Sequence, residues 1–269
     1  MTDPVYIKTF GIMALVGAEC GLVGVFIFLL NIPFVGVAIA HSAMAGGIWG
    51  IILGFPSKLS ALILSLAASF TVGPVSDRSK MNANITLSII FTAVMGIAFL
   101  GVGLMEGKQQ LVTGFLWGNI FLMGTGDIIA VAGLLAAIII IIAVFYRQYM
   151  AILFNREIAA STGINDRFFY YLLLVMIGAV ITVNLDAIGG LMLFSLIITP
   201  PAIAYQLTFG LKKFFVISAL AGITGGAGGV AVSFAFNWPV SASVVLFLSA
   251  LFLVALGFSP KRRRYDSGE

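Results

Sequence analysis

Glu19 and His41 are the residues of this 269-residue chain best suited to handle a cation. Each stands near the middle of a long apolar stretch, where an ionisable side chain is costly to bury and marks function by default. If the two stretches form an antiparallel hairpin, a carboxylate and the chain's single imidazole sit at similar depth. Cys20 and Met44 stand nearby, so the group has donors of the kind that bind transition metals. A Glu–His hydrogen bond that merely ties two helices together is the alternative. Two ligands are fewer than a structural zinc site uses, but a cation in transit has to leave as well as enter.

Other polar positions read differently. Asp186, just before Gly189-Gly190, is expected to cap the helix that follows, with lining of a pathway as its alternative. Asp127 is expected to be a cap as well. Pro200-Pro201 removes two backbone donors and predicts a kink. Gly101–Lys108 falls short of a phosphate loop, because Val102 stands where glycine is needed and Gln109 replaces the magnesium-binding Ser or Thr. The chain is expected to hold no ATP site of its own; if a partner pushes it, the energy comes from that partner.

The elements that must position these residues follow from composition. The chain is 61% hydrophobic and 9% charged, with a mean hydropathy of +1.16. A soluble domain carries roughly 25% charge to keep its surface wet. This chain is therefore read as an all-α, polytopic transmembrane helix bundle lying in a lipid bilayer. It is organised as one transmembrane domain over 1–260 with a basic tail at 261–269. The net charge of +4 does not point to nucleic acid, since the basic residues sit at segment ends. The single Cys20 excludes an internal disulfide. The first apolar segment is read as a retained span rather than a cleaved leader.

A spanning helix needs about 20 apolar residues. Segments of that order run from Tyr6 to Leu30, Pro33 to Gly54, Leu59 to Ser76, Asn84 to Met105 and Ile128 to Tyr146. Others run from Phe168 to Leu185, Ile188 to Phe209, Phe214 to Phe236 and Val240 to Phe258, giving about nine spans. Asn31, Ser57, Asp127 and Asp166 are plausible start signals. Gln109–Met123 is too short to cross and is weakened by glycine, so it is read as a re-entrant or surface helix. Nine spans with an outer N-terminus put Arg78, Lys80, Arg147, Arg156, Arg167, Lys212, Lys213, Lys261, Arg262, Arg263 and Arg264 in the cytoplasm. Only Lys8, Lys58 and Lys108 then face out, which suits the positive-inside rule. Ten spans, with Gln109–Met123 crossing, would satisfy the rule equally. Small residues four apart at Gly17/Gly21, Gly46/Gly50/Gly54, Gly222/Gly226 and Gly225/Gly229 predict close helix packing.

The longest polar interruption, 147–167, contains a short helix that stops. Asn155 can cap its start, Glu157 lies near the positive end of its dipole, and Gly163 can end it in the left-handed conformation. So short a helix is unstable alone in water. It is read as a cytoplasmic handle by which another protein pushes the bundle.

These segments resemble the permease subunits of zinc-, manganese- and iron-type ABC importers, and more distantly the vitamin B12-type permeases. Phe154-Asn155-Arg156-Glu157-Ile158-Ala159 with Gly163 resembles the family's coupling segment, Phe-Asp-x-Glu-x-Ala-x-x-x-Gly. Leu116-Trp117-Gly118-Asn119-Ile120 is similar to its Phe-Gly-Asn-Ile stretch. The run from Ile188-Gly189-Gly190-Leu191-Met192 to Ile198-Thr199-Pro200-Pro201-Ala202 is similar to its Val-Gly-x-Leu-Leu…Ile-x-Pro-Ala-Ala run. Ala40-His41-Ser42-Ala43 resembles the end of its Asp-Ala-Leu-Ser-His-Ala motif, but Val37 stands where that motif has its metal-contacting Asp.

The resemblance implies a non-enzymatic, homodimeric permease in a prokaryotic plasma membrane. Cytoplasmic ATP-binding subunits would grip the coupling segment, with Asn155, Arg156, Glu157, Ala159 and Gly163 as its residues. An extracytoplasmic binding protein would deliver a divalent metal ion as cargo, with no cofactor bound permanently. The expectation is that His41 contacts the metal and Glu19 supplies the carboxylate that Val37 cannot. Two competing readings are an importer of this architecture for a metal chelate or other small solute, and a proton-coupled carrier using Glu19 and His41 as its relay. Inverted repeats would favour the carrier, and none is evident.

Overall fold

Long apolar runs become helices because hydrocarbon offers their backbone groups no other hydrogen-bond partner. A computed structural model describes residues 4–79, 83–104, 118 and 120–260, apart from the side chains of residues 4–6, 72–74, 76–79, 83, 122, 157 and 186. The helices are α1 (Pro4–Leu29), α2 (Phe34–Leu53), α3 (Ser57–Ser79), α4 (Ala83–Leu104), α5 (Thr125–Val144) and α6 (Tyr146–Phe154). Then come α7 (Arg156–Ser161), α8 (Asp166–Ile188), α9 (Gly190–Leu207), α10 (Leu211–Phe236) and α11 (Val240–Gly257). A single 3-10 turn covers Ile120–Leu122.

Among the described residues, eight helices are long and apolar enough to cross a membrane: α1, α2, α4, α5 and α8 to α11. Helix α3 contributes a shorter apolar stretch, Ser57–Thr71. The eight fall on eight of the nine expected spans, and α3 falls on the remaining one, Leu59–Ser76. Most of the expected re-entrant helix, Gln109–Met123, lies outside the described residues.

Polar contacts sort the helix ends into two levels. Lys58 forms an ion pair with Asp127 at 2.7 Å, and the Lys8 ammonium donates to the Met123 carbonyl. The starts of α1, α3 and α5 therefore share one end. At the other, the Asn84 side-chain amide donates to the Asn31 carbonyl at 2.9 Å, and the Lys212 ammonium lies 5.8 Å from the centre of the Tyr146 ring. Ser259 donates to the Gln206 carbonyl at that end too. This split matches the one read from Lys and Arg positions.

Several helix starts differ from expectation. Asp127 is the third residue of α5, where its carboxylate accepts from the Gly124 amide at 3.0 Å. Helix α8 is capped by Asn165, which accepts from the Phe168 amide at 3.1 Å, and Asp166 is its first residue. Asp186 does not cap α9: it lies within α8, and the capping position of α9 is Gly189, with φ +76°. Backbone geometry that only glycine adopts easily made the sharper turn there.

The glycine ridges let backbones touch. A methyl group on Gly17 would stand 2.2 Å from the Gly222 carbonyl oxygen, and one on Gly222 would stand 2.0 Å from that of Gly17. One turn on, the Ser218 hydroxyl donates to the Gly21 carbonyl at 2.6 Å. A methyl on Gly24 would meet the Ile197 carbonyl oxygen at 2.0 Å. Pro201, inside α9, has no N–H to offer that carbonyl, and Gly24 leaves room for it. Gly46 seats α2 against the Ser60 carbonyl of α3 in the same manner. Gly54 is different: it lies in open space and closes α2 with φ +73°.

Gly17→Leu should lower the thermal unfolding midpoint of the detergent-purified protein, because overpacking of this kind costs about 1–3 kcal/mol or more. Gly11→Leu, at a glycine with open space around it, is the control and should change little. Equal midpoints for the two variants would contradict the α1–α10 contact.

Candidate functional site

Helix α1 packs on α10 and α9 and also on α5 and α8. Glu19 is fully buried on it. Its carboxylate Oε2 accepts from the Asn184 side-chain amide of α8 at 2.9 Å, and the same nitrogen donates to the Val180 carbonyl at 2.8 Å. Asn184 is fully buried as well. The backbone of Leu135 on α5 is the other polar neighbour of the carboxylate. No donor among the described residues meets hydrogen-bond geometry at Glu19 Oε1 or at Asn184 Oδ1. Two buried oxygens without such donors are costly, and a positive charge or a proton at either would relieve that cost.

His41 has a separate environment. Its Nδ1 lies 2.8 Å from the Val37 carbonyl, and its ring meets the Phe91 ring of α4 edge to face with centroids 4.9 Å apart. A carbonyl only accepts, so Nδ1 carries a hydrogen and Nε2 is the nitrogen not engaged by Val37. Val37 thus contributes to His41 through its backbone. The ring is half-buried, which leaves it reachable.

The hairpin expected to join the two residues does not form a close pair. Helix α2 packs mainly on α3, α4 and α8, and α8 and α9 are helices it shares with α1. Glu19 is held by Asn184 and His41 by Val37 and Phe91. Cys20 and Met44 are buried, and among the described residues no three His, Cys, Asp or Glu side chains gather to hold a metal. The side chains of Asp186 and Glu157 lie outside the described residues. Asn184 was missed in the sequence, although an amide inside an apolar run, two residues from Asp186, was a visible signal.

At 1.5 Å per residue, Glu19 lies about 16 Å along α1 from Lys8, and Asn184 about 7 Å along α8 from Gly189. The α8–α9 break is therefore sunk below the level of Lys8. A cavity of about 270 Å³ opens over it, lined by Gly118, Phe121, Ala187, Met192, Val240 and Ser241 among others. Gly118, with φ +66°, presses against the Ile188–Gly189 backbone, where a methyl group would sit 2.3 Å away. Ala187 in the cavity wall is three residues from Asn184, on the same face of α8.

At the opposite end, the handle is two helices instead of one, because the chain bends at Phe145 and again at Asn155. Tyr149 anchors α6: it is buried, its ring lies 4.9 Å from that of Phe26, and burial pushes its phenol up to about 12. Asn155 accepts from the Ile158 amide at 3.1 Å and caps α7. Gly163, with φ +85°, follows the helix, and the Ile164 amide returns to the Ala159 carbonyl at 3.2 Å. Ala159 faces inward, whereas Phe154 is 82% exposed and Ile158 52% exposed. Phe154 at the end of α6 and Ile158 on the capped α7 thus stand as exposed apolar side chains at this end of the bundle.

Comparison with known proteins fits this geometry. The model of the ABC 3 transport family matches residues 3–259. The manganese transport system membrane protein MntC of Halalkalibacterium halodurans is 29% identical over 248 residues, covering 92% of this chain and 85% of that protein. The manganese import system permease protein ScaB of Streptococcus gordonii is 25% identical over 248 residues, covering 92% and 89%. The solved structure of PsaBC from Streptococcus pneumoniae in complex with Fab superposes with a TM-score of 0.86 at 25% identity, covering all of this chain and 96% of that one.

Asn184→Leu removes the side-chain donor to Glu19 Oε2 and should destabilise the purified protein by about 1–3 kcal/mol. Adding Glu19→Met should recover much of that loss, since removing both partners leaves no buried polar group unpaired. Unfolding midpoints of the single and double variants check this, and additive losses would contradict the pairing.

Proposed function

The chain belongs to the ABC 3 transport family and is a multi-pass membrane permease; from that premise we propose that it imports a divalent transition-metal ion, manganese foremost among manganese, zinc and iron. The observation that carries the reading is the Glu19–Asn184 pair, with two buried oxygens free of donors one helical turn below the outer cavity. Carboxylate and amide oxygens suit manganese, while imidazole is tolerated by several metals. His41, through Nε2, is the second polar station. The relatives named above, called manganese transport and import proteins, support the same cargo.

In this mechanism a binding protein on the outer side delivers the ion to the cavity over the α8–α9 break. The ion passes Ala187 and is taken up by the free oxygens of Glu19 and Asn184, whose grip is weak enough to release it. Two copies of the chain form the transporting unit. ATP-binding subunits seize Phe154 and Ile158 and drive the bundle between outward- and inward-open forms. The chain itself breaks no bond.

The test is ATP-driven uptake into proteoliposomes holding the chain, its ATPase and its binding protein. Glu19→Gln removes the charge while keeping the shape, and manganese uptake should fall by about tenfold or more, the scale on which losing one metal-supporting group acts. His41→Ala should also reduce it. Uptake by Glu19→Gln at the parent's rate would remove Glu19 from the pathway.

A further inference from the structure

We propose that Arg156 is a positioning residue that locks the cytoplasmic handle to α8, so that movement of the handle becomes movement of Asn184. This rests on the reading of the chain as a permease driven through that handle. Arg156 is the first residue of α7, where a cation opposes the helix dipole. An arginine there gains nothing from its own helix. Its guanidinium instead reaches across to α8: one terminal nitrogen is 2.9 Å from Asp166 Oδ2, and its carbon lies 4.3 Å from the centre of the Tyr170 ring. Asp166 is at the start of α8, where a carboxylate suits the dipole, and Tyr170 is one turn further and buried.

The contact spans a hinge. Between α7 and α8 the chain consists of Thr162, Gly163, Ile164 and Asn165, and Gly163 holds φ +85°. Such a turn can flex about the glycine, and flexing would let α7 move under load while α8 stayed still. Arg156, Asp166 and Tyr170 close the triangle on the far side of that turn. A planar guanidinium that pairs with a carboxylate and stacks on a ring fixes both distance and angle, which an ammonium does not. Both members of the ion pair are only partly exposed, at 37% and 23%, so salt screens the pair less than an open one. From Asp166, α8 runs unbroken to Asn184, about 27 Å away at 1.5 Å per residue. Asn184 is hydrogen-bonded to Glu19. The brace therefore stands at one end of a rigid rod whose other end holds the carboxylate.

The test reads cations moved per ATP hydrolysed in the reconstituted complex. Arg156→Gln should lower that ratio about tenfold, within the usual range of coupling between sites. Arg156→Lys, which keeps the charge and loses the plane, should fall in between. Arg156→Asp combined with Asp166→Arg should regain part of the ratio, and removal of the neighbouring exposed charge by Arg167→Gln should leave it at the parent value. An unchanged ratio in Arg156→Gln overturns the proposal. Uptake and hydrolysis that fall together overturn it too, since Arg156 would then serve docking or folding. So does a charge swap that recovers nothing. Absence of ATP-driven uptake in the parent complex is a separate result: it would sink the permease reading and this one with it.

Discussion

Backbone-to-backbone contact along α1 is the constraint on which the rest of this structure depends. In a bilayer, burying apolar surface against a neighbour gains little over burying it in lipid, so helices associate by fitting closely. Gly17, Gly21 and Gly24 bring α1 against the carbonyls of Gly222, Ser218 and Ile197. A helix pinned so tightly along that side has its remaining face presented to α5 and α8 in a fixed register. Glu19 lies on that face. Its position opposite Asn184 is thus a consequence of glycines that take no part in the chemistry.

The polar centre that results is incomplete in an informative way. Asn184 spends one amide nitrogen on both Val180 and Glu19, leaving an oxygen on each side chain without a donor. A pair built only to hold helices together would leave fewer loose ends. Incomplete satisfaction weakens the bundle locally, and in the function proposed above it keeps a place for a positive charge below the cavity at the α8–α9 break. The same helix that carries Asn184 begins at the brace formed by Arg156, Asp166 and Tyr170. One rod therefore joins the outer half of the bundle to the surface that another protein can grip.

How much of this was legible in the sequence depended on range. Residues that act locally could be read: Asn155 caps its helix, Gly163 ends it, and the glycine pairs at 17, 21, 222 and 226 mark close contacts. Glu19 and His41 stood out because charge in an apolar run is conspicuous. Their partners could not be read, since Asn184 is 165 positions from Glu19 and periodicity carries no information about which helices meet. Sequence adjacency suggested a hairpin of α1 and α2, whereas the glycine contacts draw α1 to α10. Asp186 was misplaced as a cap because Gly189 supplies the turn that a side chain usually supports. Arg156 looked like part of a surface to be gripped, and its contacts with Asp166 and Tyr170 appear only once the hinge at Gly163 folds back.

The central claim is that a bundle without its own energy source moves a cation only when force arrives through the handle. The most direct measurement is manganese flux into sealed proteoliposomes containing this chain alone, under an imposed proton gradient, beside vesicles that also contain the ATPase, the binding protein and ATP. The first vesicles should show no flux above empty ones, and the second should show ATP-dependent flux. Flux driven by the proton gradient through the chain alone would contradict it.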